Sequence, residues 1–134
     1  MKKIIFICTG NACRSQMAHG FLHHYKSDKY KVFSAGTNPT RVHPAAIKVM
    51  SELDIDISNH TSNHINNYLN RGIDIVITVC DDAKQKCPIF PDIQNIIHWS
   101  IKDPFINWSD EDNLLGSYRK ARKIILKKIK EFIN

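Results

Sequence analysis

An α/β fold, one domain built on a four-stranded parallel sheet with helices on both faces, is what this 134-residue sequence predicts. Three observations predict it. Residues 3–7 (KIIFI) and 73–79 (IDIVITV) are short runs dominated by apolar and β-branched residues, as expected of strands covered on both sides. Segments with helical periodicity alternate with the strands, which implies parallel neighbours joined by right-handed crossovers. No repeat, low-complexity tract or linker divides residues 1–134, so a single domain is expected.

Each element has its own local reason. Residues 3–7 form the first strand and run into CTGNACRS, which lacks helical periodicity. A helix begins at Ser15, with Met17, Ala18, Phe21, Leu22 and Tyr25 on one side. Residues 31–34 (KVFS) make a second strand that ends at Ala35-Gly36. Pro44 suits the first turn of a helix, where a missing N–H costs nothing, and Ala45, Ala46, Ile47, Val49, Met50 and Leu53 continue it. The polar stretch DIDISNHTSNHINNYLN holds a short helix after Ser62 or Asn63, carried by Ile65, Tyr68 and Leu69. Residues 73–79 are the third strand, and residues 81–86 a turn or short helix stopped by Pro88. Residues 96–99 give a fourth strand, and a loop containing Lys102-Asp103-Pro104 leads to a C-terminal helix. One face of that segment carries Leu114, Leu115, Tyr118, Ala121, Ile125, Ile129 and Phe132.

Composition excludes several classes. With 43% hydrophobic and 24% charged residues, and only 5 Gly and 5 Pro, the chain is neither disordered nor fibrous. The longest apolar run, residues 4–8, is far short of the roughly 20 residues a membrane span needs. The basic pair at the start precedes an apolar stretch too short for a secretion signal, and no small-residue cleavage site follows. A cytoplasmic monomer without membrane contact is the expectation. In a reducing compartment Cys8, Cys13, Cys80 and Cys87 are reactive thiols, metal ligands or core filler rather than structural bridges. The net charge of +6 favours anionic partners, a small oxyanion or nucleic acid. Much of the excess falls on the solvent faces of the C-terminal helix, so no nucleic-acid partner is expected.

The segment Cys8-Thr9-Gly10-Asn11-Ala12-Cys13-Arg14-Ser15 is the most informative. A cysteine, five residues, then arginine and serine stand between a buried strand and a helix. Its backbone N–H groups can turn inward as a nest for a tetrahedral oxyanion, with the positive end of the helix behind them. Gly10 is expected to supply the unusual backbone angles. Arg14 can grip two oxygens bidentately. The same field lowers a thiol from its usual pKa of about 8.5, so Cys8 is expected to be a thiolate aimed at the bound central atom. Ser15 can cap the helix or stabilise the Cys8 thiolate. A lone Cys-x5-Arg occurs in many unrelated chains; here the strand, glycine, serine and helix around it argue for function. Cys13 can pair reversibly with Cys8 or be a small buried side chain. Asp103-Pro104 is by itself a turn signal, yet its loop follows a strand to the same sheet edge. A carboxylic acid there can protonate a departing oxygen. Both readings of Asp103 stay open on residues alone.

Ligand sites of parallel sheets lie beyond the carboxyl ends of the strands. Cys8 and Cys80 directly follow the two strongest strands, so the two thiols meet at that edge if the strands are neighbours. Cys80 and Cys87 are seven apart, which excludes the Cys-x2-Cys spacing of zinc and thioredoxin-like sites. On a helix they would be roughly 10 Å apart at 1.5 Å per residue. A disulfide needs α-carbons within about 7 Å, so bonding them requires this polar segment to unwind or loop out. Alone, Cys87 reads as an incidental surface thiol. Three thiols at one oxyanion edge suggest electron transfer: thiols cannot reduce phosphorus in phosphate, whereas arsenic(V) takes two electrons from two thiols. The 7 histidines show no recurring ligand spacing, and His60 and His64 suit surface or capping roles better than zinc. Trp99 and Trp108 are expected to pack beside the Asp103 loop.

CTGNACRSQMA, FSAGT, DIDISNHTS, VITVCDDA with a following CP, and HWSIKDP occur in this order. Together they resemble the thioredoxin-coupled arsenate reductases, which share the low-molecular-weight protein tyrosine phosphatase fold. The resemblance covers essentially the whole chain. It implies an oxyanion site made by Thr9, Gly10, Asn11, Ala12, Cys13 and Arg14. It further implies that Cys8 attacks arsenate while Asp103 protonates the leaving oxygen. Cys80 then attacks Cys8, releasing arsenite and leaving a Cys8–Cys80 disulfide. Cys87 attacks Cys80, and the Cys80–Cys87 disulfide is presented to thioredoxin. The phosphate loop is common to the phosphatases, whereas the Cys80/Cys87 pair is specific to the reductases. Similar members bind potassium through positions matching Asn11, His19, Ser34 and Asn63. Here two anionic ligands are replaced by His19 and Asn63, so weak or no potassium dependence is expected. The loop has Ala12 where serine is common. The alternatives are a phosphatase working through a Cys8 phosphocysteine, and a non-catalytic oxyanion- or redox-sensing module. A phosphatase would keep its activity in Cys80→Ser and Cys87→Ser; a sensor would bind anions without turnover.

Overall fold

The computed structural model describes residues 1–79, 93 and 95–134. Its elements follow the order β1 (Lys2–Cys8), α1 (Arg14–Lys26), β2 (Tyr30–Gly36), α2 (Pro44–Ser51), a 3₁₀ turn (Ile65–Tyr68), β3 (Ile75–Thr78), β4 (Ile96–His98), a second 3₁₀ turn (Asp112–Leu114) and α3 (Gly116–Ile133). All four strands are parallel, in the order β2-β1-β3-β4. β1 aligns Cys8 with Gly36 of β2 and Ile7 with Thr78 of β3. The chain crosses from β1 to β2 on one side, then returns to place β3 on the other. The order therefore reverses at β1, where a crevice opens beyond the strand ends.

Alternation along β1 divides the core. Ile4 and Phe6 face the three α-helices and meet Met17, Phe21, Val49, Tyr118 and Ile125. Ile5 and Ile7 face the opposite side with Ala35 and Val76, under Ile65 and Tyr68 of the first 3₁₀ turn and Leu69 just after it. Helical structure thus stands on both faces, three α-helices on one and a single 3₁₀ turn on the other among the described residues. Five residues of β1 are buried, which accounts for its unbroken apolar run.

The elements differ from expectation mainly at their ends. Tyr25 does not join the buried side of α1 but is 42% exposed, in the last turn of the helix beyond its last buried residue, Leu22. α2 stops at Ser51, and Asp54 in a left-handed conformation (φ 60°) turns the chain away, so Leu53 lies outside the helix and exposed. Asp74 interrupts the apolar run before β3 because its carboxylate accepts the Lys3 N–H at 2.8 Å. Residues 81–86, Pro88, Cys80 and Cys87 lie outside the described residues.

Candidate active site

The carboxyl end of β1 delivers Cys8 to the floor of a cavity of about 300 Å³. Cys8, Thr9, Gly10, Ala12, Cys13 and Arg14 line it from the β1–α1 loop; Thr40, Asp103, Phe105 and Trp108 complete the walls. The loop wraps the thiol closely. The Asn11 N–H donates to Cys8 Sγ at 3.2 Å, and Ser15 Oγ lies 2.9 Å from the same sulfur. Cys13, not Ser15, stands at the N-cap of α1, and Ser15 is the second residue of the helix. Cys8 is itself buried, at 3% exposed.

Asn11, not Gly10, takes the left-handed conformation (φ 48°). It is fully buried, and its side chain turns away from the cavity. Asn11 Nδ2 donates to Ser15 Oγ at 2.7 Å, while Oδ1 accepts the Asn63 N–H at 2.9 Å. Asparagine tolerates this backbone region because its short side chain can be satisfied locally. Asn11 is thus absent from the cavity lining that the other predicted loop residues share; its side chain braces the loop, and its N–H bonds the Cys8 sulfur. Gln16 adds a second brace, donating to the carbonyls of Asn11 and Thr61, both at 3.0 Å.

The loop's outward carbonyls are also held. Asn38 N–H bonds Thr9 O, Thr40 N–H and Ser62 Oγ bond Gly10 O, and His43 N–H bonds Ala12 O. β2 must end in glycine for this approach. A Cβ on Gly36 would lie 2.4 Å from Thr9 O and 3.0 Å from Asn11 N.

Arg14 is 5% exposed and donates through Nη1 to Ile101 O at 2.9 Å. Its Nη2 stands 3.7 Å from Asp103 Oδ2, a carboxylate about half exposed at the cavity mouth. Asp103 Oδ1 accepts the Phe105 N–H at 3.0 Å, which turns the carboxylate back over its own loop. Cys13 lines the same cavity but is a poor second thiolate. Burial, followed by the charges of Cys8 and Asp103, pushes its pKa far up.

Behind the loop, His19 and His60 lie with ring centroids 4.3 Å apart. His19 Nδ1 pairs with Ser34 Oγ, and His60 Nδ1 with Gln16 Oε1, both at 2.9 Å. Burial, and then the proximity of His60 and His23, pushes His19 down to about 3, so its ring is neutral. Of the potassium candidates, Asn11 Oδ1 accepts the Asn63 N–H, Ser34 Oγ pairs with His19, and Asn63 Oδ1 accepts from Thr61 Oγ1; the neutral His19 ring adds no anionic oxygen to them. His64 caps the first 3₁₀ turn, accepting from Asn66 N–H. Trp99 packs on Phe6, whereas Trp108 reaches the cavity itself.

β1 and β3 are neighbours, and Val79 N–H bonds Ile7 O at 2.8 Å, so β3 ends on the cavity's side of the sheet. Cys80 and Cys87, and hence both expected disulfides, lie outside the described residues. Sequence reasoning missed Gln16, Thr40, His43 and Phe105 as parts of the site. Only Phe105, next to Asp103-Pro104, had a positional signal.

Comparisons with known proteins agree with this geometry. The model of the low molecular weight phosphotyrosine protein phosphatase family matches residues 3–134. An arsenate reductase of Staphylococcus epidermidis (strain RP62A) is 50% identical over 121 residues, covering 90% of this chain and 92% of that protein. A solved arsenate reductase in its phosphate-binding state superposes with a TM-score of 0.83 at 35% identity, over 99% of this chain and 97% of that one. A thioredoxin-dependent arsenate reductase of Corynebacterium glutamicum gives 0.75 at 28% identity, covering 99% of this chain and 60% of that one.

Proposed function

The chain belongs to the low molecular weight phosphotyrosine protein phosphatase family, and on that premise we propose that it reduces arsenate to arsenite with electrons from thioredoxin. The observation that carries the proposal is the Cys8 sulfur, held between Ser15 Oγ and the Asn11 N–H in a cavity that Arg14 and Asp103 also line. Relatives at up to 50% identity named arsenate reductases support arsenate over phosphate esters. The Corynebacterium glutamicum neighbour, thioredoxin-dependent by name, supports the choice of reductant.

In this reading Arg14 and the loop N–H groups hold the oxyanion, and the Cys8 thiolate attacks arsenic. A hydroxyl leaves as water with a proton from Asp103. The Cys80 thiolate then attacks Cys8 Sγ; the sulfur–arsenic bond breaks and its electron pair stays on arsenic, which departs as arsenite. Cys87 exchanges into the Cys8–Cys80 disulfide, freeing Cys8. The resulting Cys80–Cys87 disulfide is reduced by the thioredoxin dithiol.

One observation favours a second reading, hydrolysis of aryl phosphates. Phe105 and Trp108 give the cavity mouth an aromatic wall that arsenate does not require. Arsenate-dependent NADPH oxidation with thioredoxin and thioredoxin reductase separates the two. Reductase activity predicts sustained turnover by wild type and a single round by Cys87→Ser. Steady aryl phosphate hydrolysis by both proteins, with no arsenate turnover, would favour the phosphatase.

A further inference from the structure

The loop that brings Asp103 and the aromatic wall to the cavity is held by a residue distant from it in sequence. His43 is wholly buried at the N-cap of α2. Its Nδ1 accepts the Ala45 N–H at 2.9 Å, so that nitrogen carries no proton. The proton is therefore on Nε2, which donates to Asn107 O at 2.6 Å. Tyr118 Oη completes the joint: it lies 3.1 Å from the same Nε2, donates to Asn107 O and accepts the Ile106 N–H. The His43 ring stacks on Trp108 (4.9 Å, 16°) and meets Phe105 edge-on (5.6 Å). Arg41 lies over the Trp108 ring at 4.4 Å. The His43 backbone N–H reaches Ala12 O of the oxyanion loop. One residue thus ties together the loop that holds the oxyanion, the start of α2, and the segment that follows Asp103.

We propose that His43, with the Tyr118 hydroxyl, is a positioning residue for the reaction: it holds residues 103–110 so that Asp103 and the aromatic wall face the bound oxyanion. The neutral tautomer is built in, because an imidazolium would set its Nδ1–H against the Ala45 N–H. Burial likewise lowers the pKa of His43. His43 touches no reacting atom in this scheme. The catalytic consequence rests on the reductase reading; the anchoring of the loop does not.

The test compares His43→Asn and Tyr118→Phe with wild type. Asparagine still caps α2 but is too short to reach Asn107 O or to stack on Trp108. Tyr118→Phe removes one hydroxyl. The expected result for His43→Asn is a kcat for arsenate reduction lower by about tenfold, part of the roughly 10²–10⁴-fold a positioned acid supplies. KM for arsenate and inhibition by inorganic phosphate stay within about twofold, since binding falls to Arg14 and the loop N–H groups. Amide exchange rises within residues 103–110, and Tyr118→Phe shifts kcat and exchange in the same sense by less. Wild-type kcat in both variants overturns the proposal. So does a joint loss of kcat and phosphate affinity with faster exchange throughout the chain, which marks a purely structural residue. If the wild type does not turn over arsenate, the reductase reading falls, and exchange still decides the anchor: unchanged protection of residues 103–110 in both variants overturns it.

Discussion

Ser15 and Asn11 differ from the rest of the oxyanion loop because neither lines the cavity: the Ser15 hydroxyl faces the thiol, and the Asn11 side chain bonds Ser15 and Asn63. A hydrogen bond to a charged group contributes about 1.5–3 kcal/mol. Ser15→Ala is therefore expected to slow the chemical step by roughly ten- to hundredfold, since each 1.4 kcal/mol is a factor of ten. Arsenate KM should change little, because Ser15 does not line the cavity. Steady-state kinetics check this, and a Ser15→Ala enzyme at full kcat would remove Ser15 from the thiolate's support. The types and spacing of Cys8, Arg14 and Ser15 made these three legible in the sequence. The division of labour between Gly10 and Asn11 was not, because either residue type can occupy the left-handed region. Only the partners Ser15 and Asn63, one of them 52 residues away, place the turn at Asn11.

Strand ends and loop contacts set the site at the next scale. β1 and β3 were readable as buried strands, and Pro44 marked the start of α2 one residue after its cap. The histidine that caps α2 and anchors the Asp103 loop carried no signal. Its partner Asn107 lies 64 positions away and offers only a backbone carbonyl. Gly36 was legible as a strand terminator, whereas the reason for it is tertiary: the carbonyl of Thr9 passes where a Cβ would stand. Gly36→Ala must push β2 away from the oxyanion loop. Phosphate binding should weaken at least tenfold, with stability lower by about 1–3 kcal/mol, the usual cost of overpacking. Calorimetric titration with inorganic phosphate and urea unfolding read the two effects. Wild-type phosphate affinity in this variant would mean that the loop does not depend on the β2 end.

Across the whole molecule, three histidines are buried or half-buried beside the site, and burial lowers the pKa of each. His19 and His60 face His23, with Asp56 opposing on His60; His43 faces Arg41, Asp103 and Asp110. Their folded pKa values lie below the unfolded value of 6.5, so the unfolded chain binds more protons as pH falls below it. The stabilisation is complete above about pH 6.5 and declines toward pH 3, where His19 titrates in the fold. Each fully neutral buried histidine contributes a slope of up to about 1.4 kcal/mol per pH unit. Urea midpoints should therefore fall between pH 7 and pH 5, less steeply in His19→Gln; equal midpoints at both pH values would contradict this. The parallel sheet was legible because strand–helix alternation leaves few topologies, and the β2-β1-β3-β4 order explains why the Cys8 loop and the end of β3 share an edge. The most direct test of the functional account is a stoichiometry. Reduced protein is mixed with excess arsenate and no thioredoxin, then assayed for arsenite and remaining thiols. One arsenite formed and two thiols lost per chain is the result expected from the relay. No arsenite and unchanged thiols, with continued aryl phosphate hydrolysis, would contradict arsenate reduction and leave Cys8 the nucleophile of a phosphatase.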